Sequence, residues 1–92
     1  MNITWNPAKN RENQRKHGIS FDDAKAIFQY PDRIEVHDDR DYGEERWVAI
    51  GTMGKTVALV VYTERNGGIR LISARKADPD DTADYYYVRK TR

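Results

Sequence analysis

Apolar and polar positions alternate through the second part of the chain with the period of two that β-strands show. We predict strands over residues 2–5, 33–37, 46–52, 55–65 and 69–76. The strand at 55–65 is apolar at consecutive positions, so we expect it to be central and covered on both faces. Asn66 and Gly67 form the strongest hairpin signal in the chain and connect the last two strands.

The first predicted helix, residues 7–17, lacks an apolar stripe. Asn6 is a typical N-cap, Pro7 fits the first helical position, and Gly18 ends the helix. Within the helix, Ala8 is the only aliphatic residue. A helix that is polar on all sides is not held by apolar packing, so we expect it to be tethered at its ends or to face a charged partner.

Two further helices have conventional signals. Ser20 caps a helix that ends before Pro31, and its apolar face consists of Phe21, Ala24, Ile27 and Phe28. The last helix opens at Pro79, with acidic residues early and basic residues late, as the helix dipole favours. Its inward face is expected to consist of Ala83, Tyr86 and Tyr87.

These elements predict an α+β fold. A small antiparallel sheet of about four strands is expected to pack against two N-terminal helices and one C-terminal helix. The length of 92 residues favours a single domain over residues 1–92.

The composition excludes several classes of protein. The chain has no cysteine, which excludes disulfide scaffolds, thiolate zinc sites and thiol catalysis. No stretch without a charge, residues 56–63 included, exceeds eight residues, which is too short to span a membrane, and the N-terminus lacks an apolar signal core. We therefore expect a cytoplasmic protein with no membrane partner.

The net charge of +1 conceals a strong asymmetry. Residues 1–17 carry +3, residues 18–45 carry −6, residues 46–76 carry +5 and residues 77–92 carry −1. Two interpretations remain open: a solvated surface with chance clustering, or a basic face for a polyanion beside an acidic face for another partner.

Other chemistries have weak signals. His37 stands near Asp38, Asp39 and Asp41, but the spacing matches no ordered metal loop. Ser20 is explained as a helix cap, and Ser73 lies within a strand without a nucleophile-elbow motif.

The strongest candidate constellation is basic. It comprises Lys16, His17, Arg65, Arg70, Arg75 and Lys76, with Glu64 as a carboxylate among them. Arginine binds phosphate through a planar fork, and histidine exchanges protons near neutral pH. These groups suit RNA cleavage through attack of a 2′-hydroxyl, for which no metal or cofactor is required.

Structural explanations compete with this one. His17 is also suited to the negative end of its helix, and Glu64 to a cross-strand pair with Arg70. Strand alternation places Arg70 and Arg75 on opposite faces, so either the strand bulges or ends near Ala74, or only one of the two belongs to the site.

Three blocks of sequence carry a family resemblance. The first consists of Trp5, Pro7, Lys9, Asn13, Lys16, His17, Gly18, Phe21 and Ala24, the second of Glu45, Arg46 and Gly51, and the third of residues 60–63 and 70–77. In these blocks the chain resembles the BrnT family of bacterial type II toxins, which are small ribonucleases with a RelE-like fold.

The resemblance implies an endoribonuclease toxin that inhibits translation. It also implies a BrnA-like antitoxin with a ribbon-helix-helix DNA-binding part, so that operator DNA is bound only through the complex. The matched positions imply functional roles for Lys16, His17, Arg70, Arg75 and Lys76. From proximity and chemistry we add Glu64 and Tyr86 as catalytic candidates, and Arg65 and Arg15 as RNA-binding candidates.

One departure from the family pattern is chemically important. Four acidic residues fall within 78–84, where the family tends to be basic, and they would repel phosphate near an RNA-binding face. The alternative is therefore a catalytically degenerate module that binds only an antitoxin or nucleic acid. The general base also stays open among His17, Glu64, Tyr86 and a lysine.

Overall fold

A mixed sheet of five strands forms the centre of the computed structural model, which describes residues 2–40 and 43–91. The strands are β1 (Ile3–Thr4), β2 (Ile34–Asp38), β3 (Arg46–Met53), β4 (Thr56–Arg65) and β5 (Gly68–Lys76). The helices are α1 (Pro7–His17), α2 (Phe21–Ala24), a 3₁₀ helix (Lys25–Gln29) and α3 (Pro79–Thr91). The strand order is β1-β5-β4-β3-β2. The predicted α+β class is confirmed.

The expected antiparallel sheet of about four strands is wrong in one respect, because β1 adds a fifth strand in parallel. Ile3 lies opposite Ile69, and the backbone N–H of Ile69 donates to the carbonyl of Asn2 at 2.9 Å. The strand is two residues long, and its partner follows about 65 residues later. No local pattern can encode that pairing, because parallel strands meet only through a long crossover.

The second predicted helix forms only in part. The Ser20 hydroxyl accepts the backbone N–H of Asp23 at 3.1 Å, so the predicted cap is confirmed. The α-helix lasts for four residues and then tightens into the 3₁₀ helix. This tightened segment still buries Ile27 and Phe28, as the helical spacing indicated.

The core lies on one face of the sheet. Phe21, Ala24 and Ile27 pack there against strand residues such as Ala58 and Val60. The 3₁₀ helix approaches β3 closely at Gly51.

Helix α3 packs differently from the prediction. Its buried residue is Tyr85, at 1% exposure, whereas Tyr86 and Tyr87 are 48% and 69% exposed. The expected inward face of Ala83, Tyr86 and Tyr87 is therefore wrong.

Asp81, near the start of α3, pairs with Arg75, and Arg89, near its end, pairs with Asp32. The ends of α3 are thus tied to β5 and to the segment before β2.

A bulge in β5 changes the direction of its side chains. Ser73 lies opposite Val61 and Leu71 lies opposite Tyr62, so Ile72 is an extra residue without a partner on β4. Leu71 and Ala74 consequently both face the core, although three positions separate them.

None of the helices in residues 2–40 and 43–91 is long and apolar enough to cross a membrane.

Candidate active site

Three adjoining cavities form a groove between α1 and β5. Their volumes are about 230, 230 and 170 Å³. The first and second share Lys9 and Ile72, and the second and third share His17 and Ser73. We call this continuous feature the α1–β5 groove. Its cationic lining includes Lys9, Lys16, Arg46, Arg65, Arg70 and Arg75.

Helix α1 is fastened to the sheet by asparagine side chains. The amide of Asn13, 5% exposed, donates to the Ala74 carbonyl at 2.8 Å and accepts the Ala74 N–H at 3.0 Å. It also donates to the Ile19 carbonyl, and Asn10 accepts the N–H of Phe21. These bonds explain a helix without an apolar stripe. The tether lies in the middle of the helix rather than at its ends, which corrects the expectation.

The end of α1 brings His17 to the groove. Gly18 adopts a left-handed conformation (φ 71°), and its N–H donates to the Gln14 carbonyl at 2.9 Å, which ends the helix one turn after Asn13. His17 lines two of the cavities together with Ser73. Its ring has no hydrogen bond or ion pair within the described part of the chain. Lys16 lines the middle cavity and pairs with Glu12 at 3.4 Å.

The bulge at Ile72 places Arg70 and Arg75 on the same face of the sheet. Arg70 lies opposite Thr63 and Arg75 opposite Leu59, and these two partners are four residues apart on β4. Of the alternatives that strand alternation left open, the bulge is the one that forms. Arg70 lines the cavity at one end of the groove and Arg75 the cavity at the other end.

Asp81 sits against Arg75. The Arg75 guanidinium donates to Asp81 Oδ2 at 3.0 Å and to the Lys76 carbonyl at 3.2 Å. Burial raises the pKa of Asp81, but the N–H of Asp78 and the Arg75 guanidinium lower it more, so the net pKa is below its usual value. The carboxylate is therefore ionised at neutral pH. One residue of the acidic 78–84 segment thus neutralises a predicted phosphate-binding arginine.

Four predicted residues lie away from the groove. Glu64 is opposite Ile69, on the other face from Arg70, so the pair expected between Glu64 and Arg70 does not form. Tyr86 contacts Tyr85 on α3. Lys76 is exposed opposite Ala58, and Arg15 pairs with Glu12 at 2.6 Å. That hydrogen bond is the main cause that lowers the pKa of Glu12.

Lys9, Asn13 and Arg46 are groove residues that the sequence reasoning did not select as site residues. A usable signal was present in Asn10 and Asn13, because buried asparagines are the remaining way to attach a helix without apolar residues. Nothing in the local sequence around Lys9 distinguishes it from the other exposed cations of α1.

The metal interpretation gains no support from the loop after β2. His37 Nε2 is hydrogen-bonded to Glu45 Oε2, and Asp38 pairs with Arg40 at 2.8 Å. Asp41 lies outside the described residues. Within 2–40 and 43–91, no three histidine, aspartate or glutamate side chains are grouped as metal ligands.

Comparison with known families identifies one match. The family model described as ribonuclease toxin, BrnT, of type II toxin-antitoxin system, matches residues 5–81. No individual curated protein gives a significant match to the chain. The matched region contains α1, the whole of β5 and Asp81, and it ends before most of α3.

Proposed function

Since the chain belongs to the BrnT family of ribonuclease toxins from type II toxin–antitoxin systems, we propose that the α1–β5 groove is the site at which it cleaves RNA. The observation that carries the proposal is the bulge at Ile72. It places Arg70 and Arg75 on one face, in a groove that His17 also lines. Within that groove Arg75 and His17 share a cavity, and an arginine that binds phosphate and a histidine that exchanges protons are groups that RNA cleavage needs.

In the proposed reaction, the 2′-hydroxyl of the substrate attacks the adjacent phosphorus. His17 accepts the 2′-hydroxyl proton as the O2′–P bond forms and the P–O5′ bond breaks. Lys16, at the same end of α1, donates a proton to the departing 5′ oxygen. The products are a 2′,3′-cyclic phosphate and a 5′-hydroxyl, and no electrons are exchanged.

The second requirement of this reaction is that the negative charge on the crowded phosphate is neutralised. We assign this neutralisation to Arg75, which lines the same cavity as His17 and Ser73. The proposed reaction needs no metal ion, because cationic side chains supply the positive charge that faces the phosphate. Arg65 contributes to RNA binding at the other end of the groove. Lys76 and Arg15 lie outside the groove, where they add only general attraction, and Glu64 and Tyr86 have no step in this scheme.

The biological setting follows from the family. A ribonuclease toxin of a type II toxin–antitoxin system has an antitoxin partner and an RNA substrate. We propose that this antitoxin is BrnA-like, with a ribbon-helix-helix part through which the complex binds operator DNA. We also propose a cytoplasmic toxin that inhibits translation, with a RelE-like arrangement of sheet and helices.

The test is RNA cleavage by purified protein. We expect wild type to cut RNA in EDTA and to leave cyclic phosphate ends, while His17→Gln and Arg75→Gln lose activity at least a hundredfold. Arg11→Gln is the matched control, because Arg11 is an exposed cation of α1 that does not line the groove. Full activity in folded His17→Gln would contradict the assigned base, and loss of wild-type activity in EDTA would contradict metal independence.

The degenerate binding module is the second candidate, and the Arg75–Asp81 pair favours it. An arginine already neutralised by a carboxylate attracts phosphate less strongly than a free one. Under this alternative, wild type binds RNA or antitoxin but cuts no RNA, and its expression does not arrest bacterial growth. Growth arrest that requires His17 would exclude it.

A further inference from the structure

We propose that the end of the groove around Arg70 is a second phosphate site, separate from the cleavage site, which holds a flanking phosphate of single-stranded RNA. The proposal rests on the proposed function, because it takes the His17 end of the groove as the place of cleavage. It assigns the toxin a substrate longer than a dinucleotide. We call this end, lined by Lys9, Arg46, Arg65 and Arg70, the Arg70 cavity.

The Arg70 cavity has an excess of positive charge. Among the described residues that line it, four side chains are cationic and one, Glu44, is a carboxylate. Glu44 is shared between Arg46 at 3.4 Å and Arg65 at 3.6 Å. An anionic ligand is therefore the chemistry that this cavity fits.

Arg70 itself is incompletely satisfied. Its side chain is half-buried, and within residues 2–40 and 43–91 it has no hydrogen bond or ion pair. Lys9, on the opposite wall, likewise has no ion pair among these residues. A guanidinium that is partly removed from water without a partner costs free energy, which a phosphate oxygen in the cavity would offset.

The Arg70 cavity is separate from the cavity that Arg75 and His17 line, and the two share no lining residue. The strand partners of Arg70 and Arg75 are four residues apart on β4, which corresponds to about 13 Å along the strand. Arg75 is held at the far end by Asp81. Because the two arginines open into different cavities, each is placed to bind its own phosphate.

The floor between the two sites is continuous. Ile72 lines both the Arg70 cavity and the middle cavity, and Ser73 lines the middle cavity and the His17 end, so adjoining cavities are available to a nucleic-acid backbone. The start of α1 also contributes a positive partial charge beside Lys9, and its first turn contains no acidic residue. We assign single-stranded RNA to this path, because its unpaired backbone can bend to follow adjoining cavities.

The experiment compares substrates that differ only in flanking phosphates. The step that the toxin cuts is first mapped in a long RNA. Three short substrates containing that step are then compared: the ribodinucleotide itself, the same step extended by two deoxynucleotides on its 5′ side, and the same step extended by two deoxynucleotides on its 3′ side. The deoxynucleotides carry phosphates but no 2′-hydroxyl. Wild type, Arg70→Gln, Arg75→Gln and the Arg11→Gln control are compared by kcat/KM.

We expect Arg70→Gln to lower kcat/KM about tenfold on one extended substrate and to leave the dinucleotide unchanged. Arg75→Gln should lower both, and Arg11→Gln neither. On the extended substrate, the slope of log kcat/KM against the logarithm of the salt concentration should also be shallower in Arg70→Gln, by about 0.7. An equal loss on dinucleotide and extended substrates would overturn the second site.

Binding of an all-deoxy hexanucleotide, followed by fluorescence anisotropy, separates this proposal from the proposed function. If wild type cuts no RNA but Arg70→Gln binds the hexanucleotide several-fold more weakly than Arg11→Gln, the cleavage assignment fails and the phosphate site stands. If Arg70→Gln and Arg11→Gln bind it equally, the phosphate site fails whether or not RNA is cut.

Discussion

The side-chain amide of Asn13 forms with the backbone of Ala74 the same pair of hydrogen bonds that a neighbouring strand would form. It donates at 2.8 Å and accepts at 3.0 Å, in the manner of a hydrogen-bonded pair in an antiparallel ladder. A polar helix is thereby held against the bulged strand.

Replacing Asn13 by aspartate should destabilise the protein. A carboxylate accepts the Ala74 N–H but cannot donate to the carbonyls of Ala74 and Ile19, and it is buried. We expect Asn13→Asp to lower the free energy of unfolding by about 3 kcal/mol, measured by urea denaturation. Gln14→Glu makes the same chemical change at an exposed position of α1 and should cost far less. Equal losses in the two variants would remove the special role of Asn13.

Neutralising Asp81 should strengthen RNA binding. Asp81→Asn removes the carboxylate that pairs with Arg75, so the guanidinium becomes available to phosphate. We expect several-fold tighter binding of a non-cleavable oligonucleotide at low salt, and a smaller gain at high salt. Asp84→Asn changes the same charge elsewhere on α3 and is the control. If both variants gain equally, the effect is one of net charge and not of the pair with Arg75.

The same ion pair should make stability depend on pH at the acidic end. The pKa of Asp81 in the folded protein lies below its usual value of 3.8. Its contribution is therefore fully present above the unfolded pKa and is lost as the pH falls through the lower folded pKa. We expect wild type to be more stable than Asp81→Asn at neutral pH, and the difference to shrink as the pH falls through the folded pKa. Urea midpoints over a series of pH values measure it, and a difference that does not shrink in acid would point to another cause.

Tyr85 should tolerate the loss of its hydroxyl. The oxygen is buried and has no hydrogen-bond partner within the described part of the chain, while the ring packs edge-on against Tyr86. Tyr85→Phe keeps the ring and removes an unsatisfied polar atom, so we expect the free energy of unfolding to rise by about 1 kcal/mol. The exposed Tyr87→Phe should leave stability unchanged. A loss of stability in Tyr85→Phe would show that the hydroxyl has a partner.

Local signals in the sequence predicted most elements but not their long-range pairing. Asn6, Ser20 and the turn at Asn66 and Gly67 act through neighbours a few residues away, and all three adopt the expected roles. The pairing of Ile3 with Ile69 depends on the whole chain. No local pattern announces such a contact.

The sequence indicated which types of residue form the candidate site better than it indicated how they are arranged on the sheet. Adjacent apolar residues Leu71 and Ile72 fit either register, so the position of the bulge depends on packing against β4. Glu64 was misplaced for a related reason. A partner one residue away along the hairpin points to the opposite face of the sheet.

The Asn13 contact also closes an edge of the sheet. β1 ends at Thr4, opposite Arg70, so the later part of β5 has no strand on its outer side. Open strand edges recruit strands from other molecules and start aggregation. With both polar backbone groups of Ala74 occupied by an amide, this position of the edge is closed to a strand from a second molecule. We expect the edge beside α1 to resist polymerisation at the concentrations used for purification.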